Sequence, residues 1–244
     1  MTRALLAGFL IFAAGPLAAQ ATAPSPPASA AATPANPFTA EQITAFNAAV
    51  TTFTEGQKAQ QAGDNATALT KYEAALPAIR DIVKAQPDNL TNVNFLANVL
   101  YAAAAANAGL GKMDALVPLY EESLPYWRQV VTAKPEMANR NVLTGILTQL
   151  GNVRLTQQDK AGATTFYTEA LSFARQSVAE KADAQNRNLL LSALIGASQA
   201  SEDEAVKTEV ATLSREMIAD GTVNPANKPA AQILAGSGAA PRAK

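Results

Sequence analysis

Apolar residues recur at helical spacing along most of the chain between positions 39 and 221. The clearest examples are three stretches with Tyr, Leu, Arg and Val at offsets 0, 4, 8 and 11, which begin at Tyr72, Tyr120 and Tyr167. At about 100° per residue, the Tyr, Leu and Val side chains share one side of a helix and predict a buried seam. The near-constant interval between the copies predicts a stacked array of repeats.

The pattern as a whole predicts eight helices in four pairs. A capping box of Thr39 and Gln42 marks the start of the first helix, and Gly63 ends it. Pro77 and Pro125 fall inside two of the helices, where we expect a kink or a break because proline removes a hydrogen bond. The predicted helices cover about residues 40–62, 65–85, 89–108, 113–133, 137–156, 161–181, 184–200 and 203–219.

Both ends of the chain lack this pattern. Arg3 precedes an apolar run, and Ala19-Gln20-Ala21 has the small residues that a signal peptidase accepts, so residues 1–21 are predicted to be a signal peptide; an uncleaved anchor is the alternative. Residues 22–38 are rich in Ala, Pro, Ser and Thr and are predicted to form a linker. Residues 222–244 are predicted to be a disordered tail. We therefore expect a helical domain over 39–221 that is exported to a periplasm or secreted.

The first unit resembles the tetratricopeptide repeat (TPR) family. Gly63-Asp64, Ala68, Tyr72 and Ala75 match that family's glycine, small, aromatic, small pattern, and Gly56 stands where its first helix has a glycine. The other units match less completely, and the period exceeds the family's 34 residues. The resemblance implies an all-α fold: a right-handed superhelical array of about four helix hairpins, an α-solenoid, with disordered segments at both ends. It also implies a concave groove that binds extended peptides.

The first helix of each later pair carries an asparagine at a fixed place. Asn94, Asn141 and Asn188 are each followed by leucines two and six residues later, which point to the opposite side of the helix, so the asparagines are predicted to face solvent. The resemblance places this face in the groove, where neutral amides suit a peptide backbone; the alternative is a merely solvated face. The partner-binding residues predicted here are Asn94, Asn98, Tyr101, Asn141, Thr148, Asn152, Asn188, Ser192 and Gln199. Asn92, Asn139 and Asn186, two residues earlier, are predicted to be helix N-caps.

Arginines recur at the edge of the predicted seam. Arg80, Arg128 and Arg175 lie about 80° around the helix from the tyrosines. Such a ladder could bind an acidic partner through bidentate hydrogen bonds. The alternative is that each arginine packs on a neighbouring helix and pairs with a carboxylate of the same chain.

The composition of the chain excludes several kinds of binding and catalysis. The formal net charge of −1 gives no basic excess for nucleic acid. The chain has no His and no Cys, so imidazole bases, thiolates and the usual zinc ligands are excluded. The clusters Glu121-Glu122 and Glu202-Asp203-Glu204 suit solvated helix faces. We therefore expect no enzyme activity, no cofactor, no metal and no membrane span once the signal peptide is removed. The function expected instead is that of a scaffold that binds a peptide or protein. A structural subunit or assembly factor of a cell-envelope complex is the alternative, and a hydrolase or small-ligand binder is the third.

Overall fold

The computed structural model describes residues 38–237, which form nine α-helices and, within that range, no β-strand. The helices are α1 (Ala40–Gln61), α2 (Asn65–Ala85), α3 (Leu90–Gly109), α4 (Met113–Ala133), α5 (Met137–Thr156), α6 (Lys160–Glu180), α7 (Ala184–Ala200), α8 (Glu204–Ala219) and α9 (Lys228–Ser237). The all-helical prediction is confirmed for these residues. Every end of the eight predicted helices lies within one residue of its observed position.

The predicted signal peptide (1–21) and all of the predicted linker except Phe38 lie outside the described residues. None of the helices in the described range is both long enough and apolar enough to cross a membrane. The described chain divides into two compact units, an N-terminal unit of residues 38–134 with α1–α4 and a C-terminal unit of residues 135–237 with α5–α9.

In the N-terminal unit each helix packs on its neighbour in the sequence. The predicted seam is buried, with Tyr72 fully inside and Tyr120 nearly so. Tyr72 lies against Gly56, where a Cβ atom would come within 2.6 Å of the ring. Only glycine therefore allows α1 and α2 to approach this closely. Phe53 adds aromatic contacts with Tyr72 and with Phe95 of α3.

The two prolines at which a kink or a break was predicted do not break their helices. Pro77 lies inside a continuous α2 and Pro125 inside a continuous α4. Both proline rings are exposed. The carbonyl groups that lose a hydrogen-bond donor belong to Glu73 and Glu121, which are exposed residues where water can replace the donor.

The C-terminal unit uses the same glycine and tyrosine contact twice. Tyr167 of α6 lies between Gly151 of α5 and Gly196 of α7, where added Cβ atoms would stand 2.7 and 2.3 Å from its ring. Its hydroxyl group donates to Asn152 Oδ1 at 2.6 Å. One buried tyrosine thus fixes the spacing of three helices.

The prediction of a disordered tail over 222–244 is wrong for its described part, because α9 occupies residues 228–237 and packs on α8. The sequence signal for α9 is a second kind of box, in which a capping side chain accepts from the backbone N–H group of an asparagine three residues later. Asn224 Oδ1 accepts from Asn227 N at 2.8 Å, as Asp183 Oδ1 accepts from Asn186 N at 2.9 Å at the start of α7. The chain therefore continues its repeat pattern by one more helix.

The predicted N-caps were also placed one turn too far along the chain. Asn89, Glu136 and Asp183 are the observed N-cap residues of α3, α5 and α7. Asn92, Asn139 and Asn186 each come three residues later, inside the first turn. Their side chains are therefore available for contacts between helices.

Candidate interaction surface

Asparagines stand at an identical position, five residues after the N-cap, in α3, α5 and α7. Asn47 of α1 precedes Asn94 by the same 47 residues that separate Asn94 from Asn141, but it stands eight residues after its N-cap Thr39, so its position in the helix differs. Asn47 is exposed and Asn94 is half-buried. Asn141 and Asn188 are buried, with 9% and 7% of their surface exposed. The prediction that these last two face solvent is wrong.

Asn141 forms a hydrogen bond between two helices of the C-terminal unit. Its Nδ2 atom donates to Asn186 Oδ1 at 2.8 Å, which links α5 to the first turn of α7. Asn186 in turn donates to the carbonyl oxygen of Lys181 at 2.8 Å. The two asparagines therefore hold consecutive odd-numbered helices together.

Asn188 holds the polypeptide that follows α8. Its Nδ2 atom donates to Thr222 O at 2.8 Å, and its Oδ1 atom accepts from Asn224 N at 2.8 Å. Asn227 Nδ2 donates to the backbone oxygen of Asn188 at 3.0 Å. A single side-chain amide thus pairs with a carbonyl and an N–H group of one non-helical segment.

The remaining predicted residues of the C-terminal unit differ in exposure. Thr148 is buried and donates to the carbonyl of Thr144 one turn earlier. Ser192 is also buried, and its hydroxyl has no hydrogen-bond partner among residues 38–237. Asn152 is half-buried against Tyr167, and only Gln199 is exposed. The predicted groove face of α5 and α7 is therefore mostly interior.

The predicted residues of the N-terminal unit form a half-buried stripe along α3. Asn94, Asn98 and Tyr101 lie on one side of the helix because they are spaced by four and three residues; we call these three residues the α3 surface. Asn98 Nδ2 donates to Asn94 O at 2.7 Å and to Asn94 Oδ1 at 3.0 Å. Within residues 38–237, Asn94 Nδ2 and Asn98 Oδ1 have no hydrogen-bond partner. The stripe therefore presents one donor and one acceptor.

Aromatic residues support the end of this stripe. The Tyr101 ring stacks on Tyr120 at 6.2 Å and meets Trp127 edge-on at 6.4 Å. Burial raises the pKa of the Tyr101 and Tyr120 hydroxyl groups, so both remain neutral donors at ordinary pH. Trp127 is nearly fully buried, and its Nε1 atom has no hydrogen-bond partner in the described part of the chain. Tyr101 is consequently held rigidly at the edge of the core.

Arg80 and Arg175 of the predicted arginine ladder each pair with a carboxylate of a neighbouring even-numbered helix. Arg80 of α2 donates to both carboxylate oxygens of Glu122 in α4, each at 2.7 Å. Arg175 of α6 donates to both oxygens of Glu209 in α8, at 3.2 and 2.6 Å. Arg128 is exposed on α4. The observed pairs match the alternative in which the arginines join helices of the same chain.

The sequence prediction also missed a second pair of arginines. Arg140 and Arg187 stand 47 residues apart inside two copies of Asn-Arg-Asn. Arg140 is buried and donates to the carbonyl of Pro135 and to Glu180. Arg187 donates to Asp220 at 3.0 Å and to Glu216 at 3.1 Å. Each arginine joins the start of an odd-numbered helix to the end of the next helix. The repeated Asn-Arg-Asn tripeptide is the feature of the sequence from which this pair of contacts could have been predicted.

Within residues 38–237 no group of three or more acidic side chains is placed to hold a metal ion. No protein-family model matches the chain, and neither the curated proteins nor the solved structures contain a match.

Proposed function

We propose that the protein is a non-enzymatic interaction scaffold and that the α3 surface binds an extended segment of a peptide or a partner protein. One observation carries the proposal: Asn94 Nδ2 and Asn98 Oδ1 are an unpaired donor and acceptor on a helix that contains no charged residue. An extended backbone offers alternating carbonyl and N–H groups that complement such a pair.

The C-terminal unit supplies an example of this chemistry. The amide of Asn188 already binds the carbonyl of Thr222 and the N–H group of Asn224. Asn94 has the same helical position two repeats earlier. An amide at this position is therefore suited to a backbone that passes across the helix, and the fixed ring of Tyr101 would contact one partner side chain.

We further propose a TPR-like, right-handed superhelical arrangement of the repeats and export of the protein into the periplasm or the medium. The close contacts of Gly56 with Tyr72 and of Gly151 with Tyr167 support the first proposal. The leader-like pattern of residues 1–21 supports the second.

The test is a selection of uncharged peptides on the immobilised protein, followed by fluorescence anisotropy with one selected peptide. In the Asn94→Ala, Asn98→Ala double variant we expect Kd to rise about tenfold or more, because two hydrogen bonds of about 1 kcal/mol each are lost. Thr70→Ala, at an exposed position of α2, is the matched control. Failure to select any peptide, or equal Kd values for the double variant and the control, would contradict the proposal.

A structural subunit or assembly factor of a cell-envelope complex is the second candidate. It is favoured by the number of repeat asparagines and arginines that bond within the chain, among them Asn141, Asn188, Arg80 and Arg175. In that case the protein would co-purify with one stable partner, and the Asn94→Ala, Asn98→Ala variant would retain that partner fully.

A further inference from the structure

The second tyrosine of the seam differs from the other two in the hydrogen bonding of its hydroxyl group. Tyr72 donates to Gln60 Oε1 at 2.8 Å, and Tyr167 donates to Asn152 Oδ1 at 2.6 Å. Each acceptor lies on the first helix of the same helix pair. The Tyr120 hydroxyl, in contrast, has no hydrogen-bond partner within the described part of the chain.

The sequence of α3 explains this difference. The two acceptors precede their tyrosines by 12 and 15 residues. At the same distances before Tyr120, α3 has Ala108 and Ala105. An alanine side chain cannot accept a hydrogen bond. The pair of α3 and α4 therefore holds its seam tyrosine without the acceptor that the other two pairs provide.

Two further donors without an acceptor lie beside Tyr120. Tyr101 stacks on Tyr120 with the ring centroids 6.2 Å apart, and its hydroxyl group likewise has no partner among residues 38–237. Trp127 meets the Tyr101 ring edge-on at 6.4 Å, is 2% exposed and has an Nε1 atom that is unpaired in the same range. We call these three residues the aromatic donor cluster.

The two hydroxyl groups of the aromatic donor cluster are neutral and close to each other. Burial raises the pKa of both, and the neighbouring Tyr101 adds to the rise at Tyr120. A buried donor that lacks an acceptor costs free energy. Tyr120 is 8% exposed, whereas Tyr101 is half-buried, so the cluster reaches the outside at the end of the α3 surface. The arrangement suits an acceptor group that comes from a partner.

The charges near the cluster favour an uncharged acceptor. The helix α3 contains no charged residue, and Arg128 is the one basic residue within α4. Arg128 directly follows Trp127, so its side chain points about 100° away around the helix. An anion at the cluster would lose its water without gaining a cation. An amide carbonyl is a neutral acceptor whose oxygen can take two donors.

We propose that the Tyr101 and Tyr120 hydroxyl groups donate to an amide carbonyl oxygen of the partner, with Trp127 as the neighbouring third donor. The inference rests on the proposed function, because Tyr101 belongs to the α3 surface, and it names the chemical group that this end of the surface recognises. Asn94 and Asn98 pair with an extended backbone along the helix, and the cluster fixes one carbonyl at the end.

The test uses N-methylacetamide as the probe and Trp127 as the reporter. Trp127 is the only tryptophan of the chain, so its indole N–H group gives a single NMR signal. We expect N-methylacetamide to shift this signal saturably and acetate to leave it unchanged. In the Tyr101→Phe, Tyr120→Phe double variant the Kd for the probe should rise about tenfold or more, because two donors are lost. Tyr126→Phe, beside Trp127 in α4, is the matched control and should keep the wild-type Kd.

Thermal unfolding gives a second measurement. Tyr120→Phe removes a hydroxyl group without a partner in the described chain, so Tm should not fall, whereas Tyr167→Phe removes the donor of Asn152 and should lower Tm. Equal losses of Tm in these two variants would overturn the proposal. So would the lack of a saturable shift in the wild-type protein, an equal response to acetate, or an unchanged Kd in the double variant.

The carbonyl site and the peptide-binding function fail separately. The Asn94→Ala, Asn98→Ala variant should bind N-methylacetamide with the wild-type Kd, because both tyrosines are intact. Saturable binding of the probe without any selected peptide would contradict the peptide-binding function and support the carbonyl site. Selected peptides whose Kd is unchanged by Tyr101→Phe, Tyr120→Phe would overturn the carbonyl site and leave Asn94 and Asn98 as the binding residues.

Discussion

The repeat asparagines behave differently in the two units. In the C-terminal unit Asn141 and Asn188 are buried and bind Asn186 and the segment after α8. In the N-terminal unit Asn47 is exposed, and the half-buried Asn94 leaves its amide nitrogen without a partner in the described residues. Asn94 therefore shares the helical position of Asn141 and Asn188, which hold the C-terminal unit together, but it forms part of a surface on the N-terminal unit.

The covering segment explains the difference. In the C-terminal unit a box asparagine from the next odd-numbered helix lies on the repeat asparagine: Asn186 Oδ1 accepts from Asn141 Nδ2, and Asn227 Nδ2 donates to the backbone oxygen of Asn188. A buried amide is costly to disrupt because removal of one partner leaves the other unpaired, whereas an amide that contacts water is not. The following predictions test this contrast.

The largest effect is expected for Asn188→Ala. The change leaves Thr222 O and Asn224 N without their side-chain partner, and we expect a loss of about 2–3 kcal/mol in the free energy of unfolding. Urea unfolding followed by circular dichroism measures the loss, with Gln199→Ala on the exposed side of α7 as the control. If the free energy of unfolding changes no more than in the control, the proposed structural role of Asn188 is contradicted.

A smaller loss of about 1 kcal/mol is expected for Asn141→Ala. Only the bond to Asn186 Oδ1 is lost, because Asn141 Oδ1 has no partner within the described residues and Asn186 keeps its bond to Lys181 O. The same urea titration measures it. A loss that exceeds the loss for Asn188→Ala would contradict the prediction that Asn188 contributes more to stability than Asn141.

Acidification should weaken the box at the start of α7. The N–H group of Asn186 and the Lys181 side chain hold the pKa of Asp183 below its ordinary value of 3.8. A lowered carboxyl pKa contributes stability that is present above the unfolded value and is lost as pH falls through the folded value. Since Asp183 is half-buried and still contacts solvent, which screens its charge, we expect a loss of only about a few tenths of a kcal/mol between about pH 5 and about pH 3.

Comparison of the wild-type chain with Asp183→Asn isolates this contribution. Asparagine keeps the cap but does not titrate in this range, so the variant should lose less stability on acidification, measured by urea unfolding at each pH. If the free energy of unfolding falls equally with pH in the two proteins, Asp183 does not make the proposed contribution to stability.

The smallest effect on stability is expected for Asn94→Ala. Its side chain meets solvent and accepts one local bond from Asn98, so we expect a change within about 0.5 kcal/mol. Thermal unfolding followed by circular dichroism measures it. A loss comparable to that of Asn188→Ala would show that Asn94 is also a structural contact.

The helices were predictable from the sequence to within one residue because their ends are set locally. Gly63 adopts a positive φ of 83°, and the capping side chains of Thr39 and Asp64 bind backbone N–H groups within their own first turns. The tyrosine seam was predictable for the same reason, since its helical spacing survives in every copy.

The exposure of the asparagines was not predictable by the same means. Helical spacing shows that Asn141 and Asn188 point away from the leucines of their own helices, but not whether another helix covers that side. In the C-terminal unit α7 packs on α5, α6 and α8, so both sides of the helix are buried. The last helix was missed because Asn224-Pro225-Ala226-Asn227 has the composition of a turn, although it also has the spacing of a cap.

Hydrogen exchange of the side-chain amides, followed by NMR in the wild-type protein, tests the central contrast most directly. The Nδ2 protons of Asn141 and Asn188 should be protected, whereas those of Asn47 and Asn94 should exchange at the rate of exposed amides. Equal exchange rates for the two pairs would contradict a division between structural asparagines and a surface available to a partner.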